Sequence, residues 1–223
     1  YLNIPCAFDI ETSSFYDSNN QKTALMYTWQ MCINGYVWIG RDYKSLWDCF
    51  NAMTRTLNLG YTKNIVLYVH NLGYEFNMLR KYMNVTDYFA VDKRSPLYVQ
   101  IFGGIEFRCS YRLSGYSLDY LGKNMLHKYH VEKATGDLDY SLIRTPDTKL
   151  TRPEIGYIVN DVRVVTNYIK ELMERGESLA KIPLTKTGRV KIALNQNCIR
   201  TPDGKFNFKF VEKMQKSTIT LEE

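Results

Sequence analysis

Two carboxylates stand one residue apart near the start of the chain, in the run Phe8-Asp9-Ile10-Glu11-Thr12. The mostly apolar run Ile4–Ile10 predicts a strand that ends in these acids, and side chains two residues apart on a strand point to the same side. Asp9 and Glu11 would therefore repel each other unless a cation or a proton neutralises them. Oxygen-rich pairs of this kind suit Mg²⁺ or Mn²⁺. Alone, the pair is more typical of two solvated acids at a strand end.

A second group of polar residues lies where a predicted buried strand, Asn64–Val69, turns into a predicted helix over roughly Glu75–Met83. Sites in open α/β sheets gather at the carboxyl ends of strands, so this turn is a candidate position for chemistry. His70 and Asn71 could instead cap the helix. Glu75 would lie in the first helical turn, where an acid is also favoured by the helix dipole.

The clearest helix signal begins at Thr151-Arg152-Pro153-Glu154, which has the pattern of a capping box. Tyr157 and Asp161 follow four residues apart and share one helix face, beside the apolar stripe, so both can face a cleft at the sheet edge. The alternative is a tyrosine–aspartate pair at the margin of the core. The apolar stripe consists of residues at alternating spacings of three and four: Ile155, Ile158, Val162, Val165, Ile169 and Leu172.

The remaining elements must position these three groups. Asn34-Gly35 between β-branched and aromatic runs predicts a hairpin, because type I′ turns need positive φ at both central residues. Antiparallel strands first, and a helix-flanked buried strand later, predict a mixed sheet in an α/β layer fold. The other expected elements are strands Leu25–Ile33 and Tyr36–Gly40, a helix Tyr43–Leu59, strands Leu97–Phe102 and Glu106–Ser110 around Gly103-Gly104, and a helix Ser117–Tyr129.

Composition narrows the class of protein. The 223 residues are 45% hydrophobic and 23% charged, which is ordinary globular composition and argues against wholesale disorder. No apolar run approaches the ~20 residues of a spanning helix, and no signal peptide is visible, so we expect no membrane partner. Five cysteines without a C-x-x-C pair favour free thiols in a reducing compartment over a disulfide framework or a zinc site.

The net charge of +6 is concentrated near the C-terminal end. Residues 181–223 hold nine Lys/Arg and four Asp/Glu, a balance of +5, whereas residues 1–180 hold twenty and nineteen, a balance of +1. We therefore predict a near-neutral domain over 1–180 and a basic extension over 181–223, with a boundary near 178–184. A basic segment suggests a polyanionic partner such as nucleic acid. A solvated face that aids solubility is the alternative.

Taken together, the three motifs resemble those of DnaQ-like 3′–5′ exonucleases: Asp9-Ile10-Glu11, Asn71-x3-Glu75 and Tyr157-x3-Asp161. More narrowly, the chain resembles the exonuclease domain of the protein-primed family B DNA polymerases of bacteriophages, over roughly residues 4–176. The order of the three motifs, and their places at a strand end, at a strand-to-helix turn and on a helix, are more specific than any one motif alone. The supporting segments are Phe8–Thr12, Tyr68–Phe76, Ser110-Tyr111, Gly136-Asp137-Leu138-Asp139-Tyr140 and Tyr157–Asp161.

The resemblance implies a ribonuclease H-like fold and two divalent ions, one that activates water and one that stabilises the leaving 3′ oxygen. Asp9, Glu11 and Asp161 match the metal ligands of this family. Tyr157 matches the residue that orients the attacking water, as a hydrogen-bond partner rather than a base. Glu75 departs from the pattern, since those polymerases place Asp there, and it would either ligate metal, directly or through water, or be structural.

The resemblance also implies contacts with a single-stranded DNA 3′ end, from Thr12, Asn71, Tyr74, Ser110 and Tyr111. Aromatic side chains that stack on bases serve such a site, although core packing is the alternative for the two tyrosines. The family often places a lysine directly before the Gly-Asp-x-Asp-Tyr segment, where it contacts the scissile phosphate. Thr135 occupies that position here, and Lys133 is its nearest substitute.

A two-metal 3′–5′ exodeoxyribonuclease that proofreads within a DNA-directed DNA polymerase is thus the predicted function. The nucleotide-binding and metal motifs of the polymerase half are absent from these residues, so the implied partners are a polymerase domain, single-stranded DNA and a terminal protein primer. The implied location is the host cytoplasm. Two alternatives stay open. One is a nuclease-inactive module that binds single-stranded DNA or a terminal protein, and the other is an RNA exonuclease of the same fold.

Overall fold

A mixed sheet of seven strands organises the computed structural model, which describes residues 1–131, 138–195, 198, 200–201, 203–209 and 212. Its strand order is β3-β2-β1-β4-β7-β6-β5, with β4 parallel to β1 and β7 and the other neighbours antiparallel. The strands are β1 (Cys6–Tyr16), β2 (Lys22–Ile33), β3 (Tyr36–Gly40), β4 (Ile65–Val69), β5 (Val85–Ala90), β6 (Pro96–Ile101) and β7 (Ile105–Cys109). The predicted α/β class is confirmed.

Helices cover the sheet on both sides. The helices of the described residues are α1 (Tyr43–Leu57), α2 (Leu72–Leu79), α3 (Ser110–Ser114), α4 (Leu118–Asn124), α5 (Arg152–Glu174) and α6 (Lys186–Leu194), with a short 3₁₀ turn at His127–Tyr129. The residues just before two of these helices explain where the helices begin. Asp42 caps α1 and Thr151 caps α5, each in a capping box, as predicted for the second.

Two hydrophobic clusters fill the layers on either side of the sheet. On one side Phe8, Phe50 and Phe107 form an aromatic group with ring centroids 5.7–5.9 Å apart. On the other side the apolar stripe of α5 packs against Ala7, Val66 and Tyr68 of the sheet. Because Phe8 and Ala7 are neighbours on β1 and lie in opposite clusters, the odd-numbered residues that follow face α5.

Both predicted hairpins are present. Asn34 and Gly35 have φ of 48° and 96°, and Gly103 and Gly104 have φ of 93° and 76°. Positive φ at both central residues is what a type I′ turn requires, and Asn34-Gly35 joins the paired residues Ile33 and Tyr36 directly. The second hairpin has three residues between its paired Ile101 and Ile105, and both of its glycines have positive φ.

Several predicted boundaries were wrong. Strand β1 does not end at Ile10 but continues to Tyr16, because its pairing with β2 resumes after an irregularity between Glu11 and Thr12. Helix α2 begins at Leu72, three residues earlier than expected. The single helix expected over Ser117–Tyr129 is α4 followed by a 3₁₀ turn.

The packed core continues through the boundary expected near 178–184. Leu179 and Ile182 are buried in the cluster beneath α5, and the carbonyl oxygen of Leu179 accepts a hydrogen bond of 2.9 Å from buried Arg108. The division into 1–180 and 181–223 stays a prediction. In the stretches that the structure describes, none of the helices has the length and apolar character needed to cross a lipid bilayer.

Candidate active site

Three carboxylates converge between β1 and α5. Asp9, Glu11 and Asp161 each place one oxygen within 4.8 Å of the others, although Asp161 lies far along the chain. The alternation of β1 turns both acids of the strand toward α5, and the third turn of that helix after its cap brings Asp161 to meet them. The cleft lies over β1, the third of seven strands, so the expectation of a position at the sheet edge was wrong.

Burial and mutual repulsion make this cluster costly to ionise. Glu11 is 9% exposed, and burial, together with the charges of Asp9 and Asp161, raises its pKa to about 9. Burial also raises the pKa of Asp9 to about 6, against the effect of its hydrogen bonds. The positive charge of Arg144 lowers the pKa of Glu11 but does not cancel this increase. The cluster therefore favours bound protons or cations.

Two buried polar residues support Asp9. Gln30, on the paired position of β2, donates from Nε2 to Asp9 Oδ2 at 2.6 Å. Glu75 lies at 4% exposure in the first turn of α2, and its carboxyl group hydrogen-bonds Asp9. Burial and the Asp9 charge raise the pKa of Glu75 well above its usual value, so it is the protonated partner and donates. Glu75 thus contacts the cluster through Asp9.

A divalent cation suits this donor set. Three carboxylate oxygens within reach of one another are the ligands that Mg²⁺ and Mn²⁺ prefer. Because these carboxyl groups are buried and repel one another, positive charge placed among them would stabilise the fold.

Two tyrosines close the mouth of the cleft. Tyr157 follows the cap of α5 by less than two turns, and its hydroxyl lies 3.4 Å from the hydroxyl of Tyr140. Both line a cavity of about 190 Å³ together with the three carboxylates and His70. Burial raises the pKa of Tyr157 above its usual value, so the phenol keeps its proton. Lys133, the predicted phosphate contact, lies outside the described residues.

Thr12 and Asn71, predicted DNA contacts of the first two motifs, are neighbours in the chain of two residues that line the cavity, Glu11 and His70. Thr12 and Tyr74 hydrogen-bond through their hydroxyl groups, which joins β1 to α2. Asn71 begins α2 in the left-handed region, with φ of 77°, and among the described residues its side chain finds no capping partner. The exposed Asn71 side chain is therefore available to a ligand rather than used as a helix cap.

His70 lines the cavity and contacts two of the predicted site residues, Ser110 and Tyr111. The Nδ1 atom of His70 and the hydroxyl of Ser110 lie 3.1 Å apart, and the ring of Tyr111 packs edge-on against His70 at 5.6 Å between centroids. Burial lowers the pKa of His70 to about 4, so the imidazole is neutral at physiological pH. Ser110 is fully buried and Tyr111 is exposed, so of the two only the tyrosine presents its side chain to solvent.

Sequence reasoning did not place three of these residues in the site, Gln30, Tyr140 and Arg144, and it gave His70 no role beyond its place in a turn that could do chemistry or cap α2. Gln30 could have been noticed as a polar residue inside the apolar run Leu25–Ile33. Tyr140 belongs to the Gly-Asp-x-Asp-Tyr segment that supported the family resemblance. Nothing in the local sequence around Arg144 signalled its burial.

The site and sheet define an α/β fold with a carboxylate cluster over a central strand, and comparisons with solved structures find the same fold. Phi29 DNA polymerase complexed with primer-template DNA and incoming nucleotides matches with a TM-score of 0.63 and 13% identity over 96% of this chain. The same polymerase complexed with single-stranded DNA matches with a TM-score of 0.62 and 16% identity over 90%. The predicted resemblance is thus confirmed at the level of the fold.

The region of phi29 DNA polymerase that this chain matches is one part of that polymerase. This chain spans 38% and 36% of the two polymerase chains. Neither the models of known protein families nor the curated proteins match this sequence.

Proposed function

We propose that this chain is a 3′–5′ exodeoxyribonuclease that removes nucleotides from single-stranded or frayed DNA 3′ ends. The observation that carries the proposal is the carboxylate cluster of Asp9, Glu11 and Asp161, whose ligand atoms lie within 4.8 Å of one another. It occurs on a fold shared with a DNA polymerase solved with single-stranded DNA. That combination favours hydrolysis of a nucleic acid over binding alone, since a binding module has no need to bury three mutually repelling acids.

Asp9, Glu11 and Asp161 would hold two Mg²⁺ or Mn²⁺ ions, with Glu75 as a further ligand or as the support of Asp9. Bound divalent ions supply the positive charge that activates water and stabilises the leaving 3′ oxygen. Tyr157, whose raised pKa keeps its hydroxyl protonated, orients the attacking water by hydrogen bonding. Lys133 stays the proposed contact to the scissile phosphate.

The 3′ end would enter the cleft. Tyr74 and Tyr111 are exposed and offer ring faces or edges for the terminal bases. Thr12 and Asn71 offer polar groups to sugar and phosphate from β1 and from the start of α2. Ser110 is buried, so it acts on DNA through His70.

The wider biological setting is part of this proposal. Proofreading during viral DNA replication, a polymerase domain as the covalent partner, a terminal protein primer and a location in the host cytoplasm all follow from the family resemblance. The observations in support are the shared fold and the basic balance of residues 181–223.

Digestion of a 5′-labelled DNA single strand, with Mg²⁺ or with EDTA, tests the activity. We expect stepwise release of mononucleotides with Mg²⁺, and a loss of at least ~100-fold in Asp9→Ala and Asp161→Ala. Asp48→Ala is the matched control, because Asp48 is a solvent-exposed acid on α1, paired with Lys44. Asp9→Ala at the wild-type rate would refute the site.

The same assay separates the alternatives. Binding of the labelled strand without release of mononucleotides at any metal concentration would favour a nuclease-inactive binding module. Faster digestion of the matched RNA strand than of the DNA strand would favour an RNA exonuclease.

A further inference from the structure

Arg144 is a buried arginine at the rim of the candidate active site, only 5% exposed. Its Nε and Nη2 atoms contact Glu154 Oε1 at 2.7 and 2.6 Å. Its Nη1 atom donates to the carbonyl oxygens of Asp139 and Leu142 at 2.7 and 3.3 Å. A buried guanidinium with this many partners fixes whatever carries those partners.

These contacts join the elements that carry the site residues. The backbone amide of Arg144 donates to the Ser13 hydroxyl at 2.7 Å, two residues beyond Glu11 on β1. The carbonyl oxygen of Asp139 directly precedes Tyr140. Glu154 belongs to the capping box of α5, one turn before Tyr157.

A second arginine holds the far end of the same segment. Arg41 donates from Nη2 to the carbonyl oxygens of Thr145 and Thr148 at 3.1 and 2.6 Å, and from Nε to that of Tyr27 at 2.9 Å. The segment 139–148 is therefore tied to the sheet at its middle, through the Arg144 amide, and at its far end, through Arg41, whereas its start is held by the Arg144 side chain. Tyr140, which is 68% exposed, owes its position over the cleft to this segment rather than to burial of its own ring.

We propose that Arg144 is a positioning residue, whose side chain holds Tyr140 and Tyr157 at the mouth of the carboxylate cleft by joining the start of the 139–148 segment to the cap of α5. The proposal rests on the exonuclease function proposed above. A displacement of about 1 Å in a group that orients a reactant can cost ~100-fold in rate, so the expected effect is on turnover rather than on DNA binding.

Kinetics of Arg144→Met on the labelled single strand provide the first test. We expect kcat to fall ~10–100-fold while KM stays within about threefold. Arg144→Lys keeps the charge but not the planar fork, so we expect a loss of similar direction and smaller size. It also serves if Arg144→Met does not fold. Arg175→Met is the matched control, since it breaks an arginine–glutamate pair at the opposite end of α5.

A double-mutant cycle with Tyr140→Phe tests whether Arg144 acts on turnover through Tyr140. If Arg144 acts through Tyr140, the double variant should lose no more than about twofold beyond the worse single variant. Independent, multiplying effects of the two substitutions would overturn the proposal. So would a kcat for both Arg144 variants within about twofold of the Arg175→Met value.

Amide hydrogen exchange gives a measurement that does not depend on activity. In Arg144→Met we expect exchange in residues 139–148 to speed up at least ~10-fold, with α1 unchanged. Unchanged exchange in 139–148 would overturn the positioning role even if turnover fell. If the wild-type chain releases no nucleotides while exchange responds as expected, the proposed function fails and the structural role of Arg144 stands.

Discussion

Replacing Glu11 with Gln should stabilise the metal-free protein. In the folded chain the pKa of Glu11 is raised to about 9 from its usual 4.5, because the carboxyl group is buried beside Asp9 and Asp161. The folded state thus binds the Glu11 proton more tightly than the unfolded state does. The free energy of unfolding therefore falls as pH rises from about 4.5 to about 9, and Glu11→Gln removes this loss.

The size of the effect follows from the same pKa. Each pH unit between the two values is worth ~1.4 kcal/mol, so the interval from the unfolded value to pH 7 gives about 3 kcal/mol. In a domain of this size 1 kcal/mol shifts Tm by ~2–4 °C, so Glu11→Gln should raise Tm by roughly 6–12 °C at pH 7. The gain should be small at pH 5 and larger at pH 8.

Thermal unfolding in EDTA, followed by circular dichroism from pH 5 to pH 9, measures this difference. Glu174→Gln is a matched control, because Glu174 is an exposed acid at the end of α5, paired with Lys128. Mg²⁺ should reverse the order, since it stabilises the wild-type cluster more than the variant. A Tm for Glu11→Gln at or below wild type across the whole pH range in EDTA would refute the reasoning.

Three further outcomes are expected. A single strand or a mismatched 3′ end should be digested faster than a paired end, which must first melt at ~1.4 kcal/mol per step, and equal rates would contradict the proofreading geometry. Replacing exposed Lys191, Lys205 and Lys209 with Gln should lower DNA affinity and reduce the salt slope by up to ~3 in the Asp9→Ala background, whereas unchanged slopes would make these charges a solubility feature. Asp42→Ala should cost ~1 kcal/mol by removing the capping box of α1, with nuclease activity unchanged, and a Tm equal to wild type would count against the cap.

Elements specified by neighbouring residues could be predicted from the sequence. The Asn34-Gly35 turn and the capping box before α5 depend on interactions within four residues, and both are confirmed. An element without such a local signal could not. Strand β5 has Asp87, Tyr88 and Phe89 exposed at the sheet edge, so it lacks the apolar alternation that would reveal a strand.

The same distinction holds for the site. The carboxylates Asp9, Glu11 and Asp161 could be selected because three motifs in a fixed order resemble one family. The residues that support these carboxylates could not be predicted, because each contact depends on strand register or on the path of a distant segment over the sheet. Gln30 meets Asp9 only because β1 and β2 pair in that register, and Arg144 meets Glu154 only because the 139–148 segment folds back over β1.

The strand order also has a consequence for how the chain folds. Strands β1 to β3 and β5 to β7 are two runs of sequential antiparallel neighbours, and β4 joins them through parallel pairs of longer range. Local hairpins close at lower entropic cost than distant pairs, so we expect each run to form early and α5 to dock after the two have joined. Asp161 reaches Asp9 and Glu11 only on that docking. Binding of a divalent ion should therefore report the last step of folding and select the fully assembled chain over its partly folded forms.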